Sequence, residues 1–410
     1  MRRIAVTGIG VICPLGNSAT EVIANATAGR SAVRRLEAPW SARLSSALAA
    51  RADFAGEAHF DPPKLRMLDR ISQFALVAAR EALADAQLEL SGIDRQRVGV
   101  FVGTGVGGSL TTDAGYQTLY AEQSDRIKPF TVLMAMAHAP AAWIGIEYGV
   151  TGPTLTYSTA CSSSSVAIGE AWMRLRSGEL DVAIAGGTEA PLSLGTMRAW
   201  DVLHTLAGQD PADASRSCKP FAQDRSGMVL GEGAGILVLE EWAHALRRGA
   251  IIHGELIGYA VVTDAGHISR PTAAGQAAAM RAALRSAACA AAAIDSIQAH
   301  ATGTAANDSA ETAAIKQVFG DDAYRIPISA TKAIHGHLLG ASGALSAVLS
   351  LLAMQRRVLL PTMHLLQPAA DCDLDYVPNS ARHDARVDTV LCNCFAFGGT
   401  NTALVLRSAH

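Results

Sequence analysis

Charge of either sign is scarce in this chain: 17% of its 410 residues are Asp, Glu, Lys or Arg, and the net charge is -3. No global basic field exists to hold nucleic acid or an anionic membrane surface, so an anionic partner has to be met by a local patch. Long apolar runs are also missing. No segment offers the ~20 uninterrupted apolar residues of a bilayer span, and the Met-Arg-Arg start lacks the apolar core of a signal peptide. Seven cysteines without framework spacing exclude a disulfide scaffold and fit a reduced compartment, so a cytoplasmic location is expected. Cys392 and Cys394 stand too close for a zinc knuckle. What the chain has in quantity is apolar side chain, 50% of all residues, enough for the core of one large α/β unit or two fused ones.

Along the chain, buried strands alternate with helices. Strands are expected at 3–10, 97–103, 181–187, 231–240, 255–262, before His300, before Ser329, and as a pair around 389–407. Helices are expected at 65–88, with Leu68, Ile71, Phe74, Ala75 and Ala78 on one face, at 273–292, 309–318 and 342–356. Residues 29–62 read as a surface excursion and 196–227 as a long loop. The second half repeats the order of the first: a strand before Gly103 parallels one before His300, and Gly186-Gly187 parallels Gly398-Gly399. That repetition predicts a duplication, with halves 1–250 and 251–410. Thr7-Gly8-Ile9-Gly10 and Gly103-Thr-Gly105-Val-Gly-Gly108 invite a dinucleotide reading. The first fails on spacing and the second lacks a helix opening at its last glycine, which leaves close backbone packing or a pocket wall.

Four stretches carry chemistry. Leu155-Thr-Tyr-Ser-Thr-Ala-Cys161-Ser-Ser-Ser-Ser turns from a β-type run into a helix, placing a thiol at a helix N-terminus where unpaired N–H groups favour the thiolate. A buried structural cysteine fits this stretch equally well. The others are Ala299-His300-Ala-Thr302-Gly-Thr304, Lys332-Ala-Ile-His335-Gly-His337-Leu-Leu-Gly-Ala-Ser-Gly343, and Asn393-Cys-Phe395-Ala-Phe397-Gly-Gly-Thr-Asn401. His335 and His337 suggest a metal pair, but no further ligand lies at the required spacing, so no metal is expected.

Taken together and in this order, Cys161, His300 before Thr-x-Thr, Lys332 ahead of His337, and Phe-Gly-Gly-Thr-Asn resemble the β-ketoacyl-acyl-carrier-protein synthases, and most of all the elongating type II enzymes with a Cys-His-His triad. The resemblance runs from Val6 to Asn401. It implies a thiolase-like duplicated fold, five layers α/β/α/β/α, and a homodimer, with a heterodimer containing a chain-length-factor-like subunit as the other assembly. By the same resemblance, Cys161 takes an acyl chain as a thioester, and malonyl carrier protein then loses carbon dioxide and attacks it in a Claisen condensation, in fatty acid, polyketide or polyene elongation. His300 and His337 polarise the malonyl thioester carbonyl. Lys332 organises the cluster by pairing with Glu311. The Cys161 and Phe397 amides form an oxyanion hole, and Phe397 gates the two half-reactions. Thr302 and Thr304 hold the phosphopantetheine arm of the acyl carrier protein, so no bound cofactor is implied. Phe395, Val106 and Ser164 are expected at the acyl pocket. Lys64, Arg66, Arg70, Arg126 and Lys128 are candidates for a basic patch that docks an acidic carrier.

Three positions depart from the family pattern. Ala301 replaces a usual glycine, Ser164 stands where glycine is common, and His335 where a small or apolar residue is usual. Competing readings are a chain-length-factor-like partner subunit, against which the intact Cys161 argues, and a thiolase or acyltransferase of the same fold, for which Cys394 is the candidate second thiol.

Overall fold

The computed structural model describes residues 2–409. Its main sheet has ten strands: β1 (Ile4–Ile12), β2 (Val98–Gly103), β3 (Thr154–Tyr157), β4 (Val182–Glu189), β5 (Gly233–Glu241), β6 (Gly254–Thr263), β7 (Ser296–Gln298), β8 (Ile328–Ser329), β9 (Thr389–Phe395) and β10 (Thr400–Arg407). In space they run β3-β2-β4-β5-β1 and then β6-β10-β9-β7-β8. Counted from the first strand of each half, both follow the order 3-2-4-5-1. Within the sheet the halves are joined by two paired positions, Ala5 with Glu255 and Val6 with Gly254.

Five long helices complete the layers: α1 (Arg70–Asp85), α2 (Ser163–Ser177), α3 (Ala273–Ser286), α4 (Ala305–Phe319) and α5 (Ser342–Arg356). Helices α2 and α5 pack against each other and touch strands of both halves. Helix α1 covers the outer face of the first half, and α3, flanked by α4, that of the second. The result is α/β/α/β/α. Residues 342–354 of α5 are buried on every side, as a helix between two sheets must be.

Strand β1 shows how local sequence sets these layers. Ile4, Val6, Ile9 and Val11 belong to the central core, while Ile12 faces α1. The spacing of three between Val6 and Ile9 is the register shift of a β-bulge between Val6 and Gly8, which restores inward pointing after one extra residue. Gly8 and Gly10 then lie under α1, where a Cβ would stand 2.0 and 1.9 Å from the carbonyl oxygens of Ala82 and Ala78. These glycines serve helix–sheet packing. Of the face expected from periodicity, Ile71, Phe74, Ala75 and Ala78 lie on α1 and are buried. Leu68 is buried just ahead of it, because the helix starts at Arg70 and not at 65, and Asp69 caps it by accepting from the Ile71 amide at 3.0 Å.

Two expectations need correction. Residues 29–62 are not merely a surface excursion: Val33–Arg35 and Leu48–Ala50 form a small sheet with Leu230–Gly231, and Leu48, Ala49 and Ala50 are buried. The stretch 196–227 is loop only in part, since Leu194–Val202 is a helix capped by Ser193.

Candidate active site

Cys161 sits between β3 and α2, one residue before the helix cap Ser162. The turn is tight. Ala160 has φ 51°, and Ser163 ties it by accepting from the Thr159 amide (2.9 Å) and donating to the Ala160 carbonyl (2.6 Å). Strand β2 approaches this turn closely, since a Cβ on Gly103 would lie 2.3 Å from the Ser164 nitrogen. The second glycine motif thus packs closely, although, against expectation, a helix (Ser109–Tyr116) does open at its last glycine, Gly108.

His300 lies two residues beyond β7. Its amide and that of Ala301 donate to the two carboxylate oxygens of Glu311 on α4, at 2.8 and 2.7 Å, and Asn393 donates to the same carboxylate at 3.1 Å. The Lys332 ammonium donates to the His300 carbonyl oxygen at 2.6 Å. The expected direct pairing of Lys332 with Glu311 is therefore not how the two act: each grips a different part of the His300 backbone, and Lys332 adds its charge to the surroundings of Glu311. Ala301 has φ 36°, so the position where glycine is usual does require the left-handed region.

His337 closes the cluster. Its Nε2 stands 3.0 Å from Cys161 Sγ, and its Nδ1 stands 2.7 Å from Ser342 Oγ, at the start of α5. The His300 and His337 rings meet edge to face, with centroids 5.4 Å apart. Ligand-type atoms of Cys161, His300 and His337 all fall within 4.8 Å of one another. Cys161 from the first half thus meets two histidines of the second half that lie well over a hundred residues further along the chain.

Burial dominates the electrostatics. It pushes the Cys161 thiol up to about 12, aided by neighbouring Cys394 and opposed by the charge of Lys332 and the Phe397 amide. The sequence-based expectation of a thiolate favoured by the helix end is corrected: the resting thiol is protonated and needs a base. Burial, and then Lys332, hold His300 and His337 well below the usual imidazole range. Both rings are neutral near pH 7, each with one N–H and one free lone pair.

A cavity of about 200 Å³ runs from Cys161, His300 and His337 past Thr302, Thr304, Phe395 and Phe397 to the surface loop His267–Pro271. The hydroxyls of Thr302 and Thr304 are 2.9 Å apart. Phe397 stacks on Trp200, with centroids 5.7 Å apart.

Several candidates fall elsewhere. Val106 is 41% exposed, its amide on Glu189, and lies outside the cavity. Ser164 is buried and accepts from the Ala344 amide at 2.9 Å, so it joins the two central helices and does not shape the cavity. Arg70 forms a two-pronged ion pair with the buried Glu232 (3.0 and 2.8 Å) and also binds the carbonyls of Phe54 and Ala52, which removes it from a docking face. Lys64 pairs with Glu147. Arg66, Arg126 and Lys128 are exposed. His335 points its Nε2 at Thr331 (3.0 Å) inside the protein, and Cys394 donates to the Cys161 carbonyl (3.0 Å) without lining the cavity.

Sequence reasoning missed Ser342, Asn393, Trp200 and Glu189. Ser342 lies inside the Lys332–Gly343 motif, but only its distance to His337 marks it. Glu189 is buried, accepts from the amides of Gly105, Val106 and Gly340, and clamps the Gly-rich turn to the start of the α5 region. Its carboxyl is raised by burial to about 7.

Residues 1–245 match the family model "Beta-ketoacyl synthase, N-terminal domain", and residues 253–366 match the corresponding C-terminal domain. The chain belongs to the β-ketoacyl synthase family. This synthase is 39% identical over 406 residues to nodulation protein E of Rhizobium meliloti (strain 1021), with 99% of each chain covered. It is also 39% identical over 411 residues to 3-oxoacyl-[acyl-carrier-protein] synthase 2 of Coxiella burnetii (strain RSA 493 / Nine Mile phase I), covering 99% of this chain and 98% of the relative. Among solved structures, a chain of the AntDE:AntF complex, a type II polyketide synthase acyl-carrier protein with its ketosynthase bound to the hexaketide, superposes with TM-score 0.93 at 32% identity over 100% of both chains. A chain of the complex of the ketosynthase ApeO with its chain length factor ApeC from Xenorhabdus doucetiae is similar at TM-score 0.84 and 28% identity, over 100% of this chain and 98% of that one. The fold is the thiolase-like one implied by the sequence motifs, and the synthase is a condensing acyltransferase of the elongating kind.

Proposed function

We propose that Cys161 accepts an acyl chain from an acyl carrier protein and that the same cavity then condenses it with malonyl carrier protein, with loss of carbon dioxide. The observation that carries this reading is the contact of Cys161 Sγ with His337 Nε2 at 3.0 Å, in a cavity that Thr302 and Thr304 also line. In the first half-reaction His337 Nε2 takes the S–H proton as sulfur attacks the incoming thioester. The amides of Cys161 and Phe397 bind the oxygen of the tetrahedral intermediate, a role supported by the Phe397 N–H that faces Cys161. The carrier thiol leaves, and the acyl chain stays on Cys161.

In the second half-reaction the malonyl carboxylate leaves as carbon dioxide, and its electron pair becomes an enolate on the thioester oxygen. Neutral His300 and His337 each offer an N–H to that oxygen, in a site where burial excludes competing water. The carbanion attacks the acyl thioester and Cys161 sulfur is expelled. Lys332 and Glu311 position His300 by holding its carbonyl and amide. The hydroxyls of Thr302 and Thr304 hydrogen-bond the amide groups of the pantetheine arm, and Phe397, backed by Trp200, separates the two steps. The arm arrives on the carrier, so the scheme needs no resident cofactor.

Exposed Arg66, Arg126 and Lys128 form the docking patch for the acidic carrier. The synthase works as a dimer through the free edge of β3, where Leu155, Ile146, Val132 and Leu133 are exposed apolar side chains. A second copy makes the homodimer and a chain-length-factor-like subunit the heterodimer. The repeated strand order supports halves 1–250 and 251–410 as the duplicated units. Seven unpaired cysteines support a cytoplasmic setting, and among the described residues no helix is long and apolar enough to cross a membrane.

The test is intact-mass measurement after incubation with acyl carrier protein. The native chain gains one acyl group, and Cys161→Ala gains none while still releasing some carbon dioxide from malonyl carrier protein. Condensation at the native rate by Cys161→Ala would overturn the assignment, as a partner subunit with no chemistry of its own would.

A further inference from the structure

We propose that the triad is also a binding site for a soft divalent cation of the zinc class, whose occupancy reversibly blocks acylation of Cys161. One thiolate and two imidazoles are the donor set this ion prefers, and three protein ligands with an open fourth position suit its tetrahedral coordination. The ligand atoms of Cys161, His300 and His337 already lie within 4.8 Å of one another. Around an ion with Zn–S ~2.3 Å and Zn–N ~2.0 Å, ligand atoms sit roughly 3.5 Å apart, so the widest gap needs to close by about 1 Å.

Two details of the surroundings make that closure feasible. Ser342 holds His337 through Nδ1 at 2.7 Å and leaves Nε2 directed at the sulfur, the outer hydrogen bond that orients metal-bound histidines. His300 is 2% exposed, and its Nδ1 has no hydrogen-bond partner among the described residues, so a small rotation of the ring between His337 and Phe395 breaks no hydrogen bond at that atom. The cavity reaches all three side chains and has room for a water as the fourth ligand. The Lys332 charge opposes the cation and sets the affinity below that of a structural zinc site.

On binding, the Cys161 S–H proton passes to solvent and its sulfur lone pair goes to the metal, so one proton is released per ion. The sulfur can then no longer attack a thioester. This inference uses the same side chains as the proposed condensation but does not require that reaction to occur. Cobalt(II) titration of the full chain reads it directly. The expected result is one ion per chain, with the visible bands of tetrahedral cobalt, a thiolate-to-cobalt charge-transfer band and one proton released. Zinc displaces the cobalt, and a chelator restores acylation. The charge-transfer band is lost in Cys161→Ala and in native enzyme already acylated on Cys161, and cobalt binds about tenfold more weakly to Ser342→Ala. Octahedral spectra without charge transfer, or an unchanged band in Cys161→Ala arising from another thiol such as Cys289, would sink the proposal. A condensing enzyme without the band overturns the metal site alone, and a chain that shows the band yet never acylates overturns the functional reading alone.

Discussion

Ser342 Oγ lies 2.7 Å from Nδ1 of His337, and a hydroxyl can both donate and accept. When it accepts from Nδ1–H, Nε2 carries the lone pair that the proposed acylation needs for the Cys161 proton. When it donates to Nδ1, Nε2 carries the N–H that the proposed decarboxylation needs for the malonyl oxygen. One hydroxyl therefore supports both tautomers of the proposed scheme. Ser342→Ala should slow both by about fivefold, the equivalent of one ~1 kcal/mol hydrogen bond, measured separately as self-acylation and as carbon dioxide release.

The two histidines are not equivalent, because only His337 touches the sulfur. His300→Ala is expected to lose about 10²–10³-fold in decarboxylation, the effect of removing one donor to a developing oxyanion, with self-acylation within a few-fold of native. His337→Ala loses both half-reactions by about 10²-fold or more. Equal losses in the two variants would show that the rings share one task.

Ala301 adopts φ 36° while its amide is held by Glu311. A left-handed Cβ costs on the order of 1 kcal/mol, so Ala301→Gly should raise the unfolding free energy by roughly that amount. Denaturant unfolding checks it, and a destabilised glycine variant contradicts it.

His335 is buried and its imidazole is lowered to about 3, by burial first and by Lys332 second. The unfolded chain protonates this ring below about 6.5 and the folded chain does not, so its contribution makes stability fall as pH drops from 6.5 toward 3. At pH 5 the deficit relative to pH 7 is about 2 kcal/mol, from ~1.36 kcal/mol per pH unit. His335→Gln removes that dependence, and the difference in unfolding free energy between pH 7 and pH 5 should shrink by about that amount. An undiminished difference would assign the slope to other groups.

The five basic candidates separate by environment. Reversing Arg126 and Lys128 together to Glu should raise KM for the carrier about tenfold, with the effect fading at high salt and stability unchanged. Arg70→Ala instead leaves the buried Glu232 carboxylate without its main partner and should cost about 3 kcal/mol of stability. Steady-state kinetics and thermal unfolding on the same variants distinguish the two classes.

Legibility followed the physics of each feature. Periodicity placed α1 and its buried face because a helix against a sheet demands apolar residues at fixed intervals. The strand ahead of Gly103 was visible for the same reason. The small sheet within 29–62 was not, because strands of three residues carry no period to read. Arg70 and Lys64 looked alike as charges in sequence, and only their partners Glu232 and Glu147 distinguish an internal clamp from a surface pair. Motif position points Val106 and Ser164 to a pocket, whereas the path of the cavity depends on how the Thr302 loop and the Phe397 turn close over Cys161.

The amino-acid order alone determined the reacting residue types, their succession along the chain and the alternation of strands with helices, since these are properties of side-chain chemistry and local spacing. Folding decided the rest. Neutral imidazoles and a protonated thiol result from burial that no linear pattern encodes, and the meeting of Cys161, His300 and His337 depends on two half-sheets with the same strand order closing around α2 and α5. Distances and desolvation belong to the packed chain, and they set which base the sulfur meets.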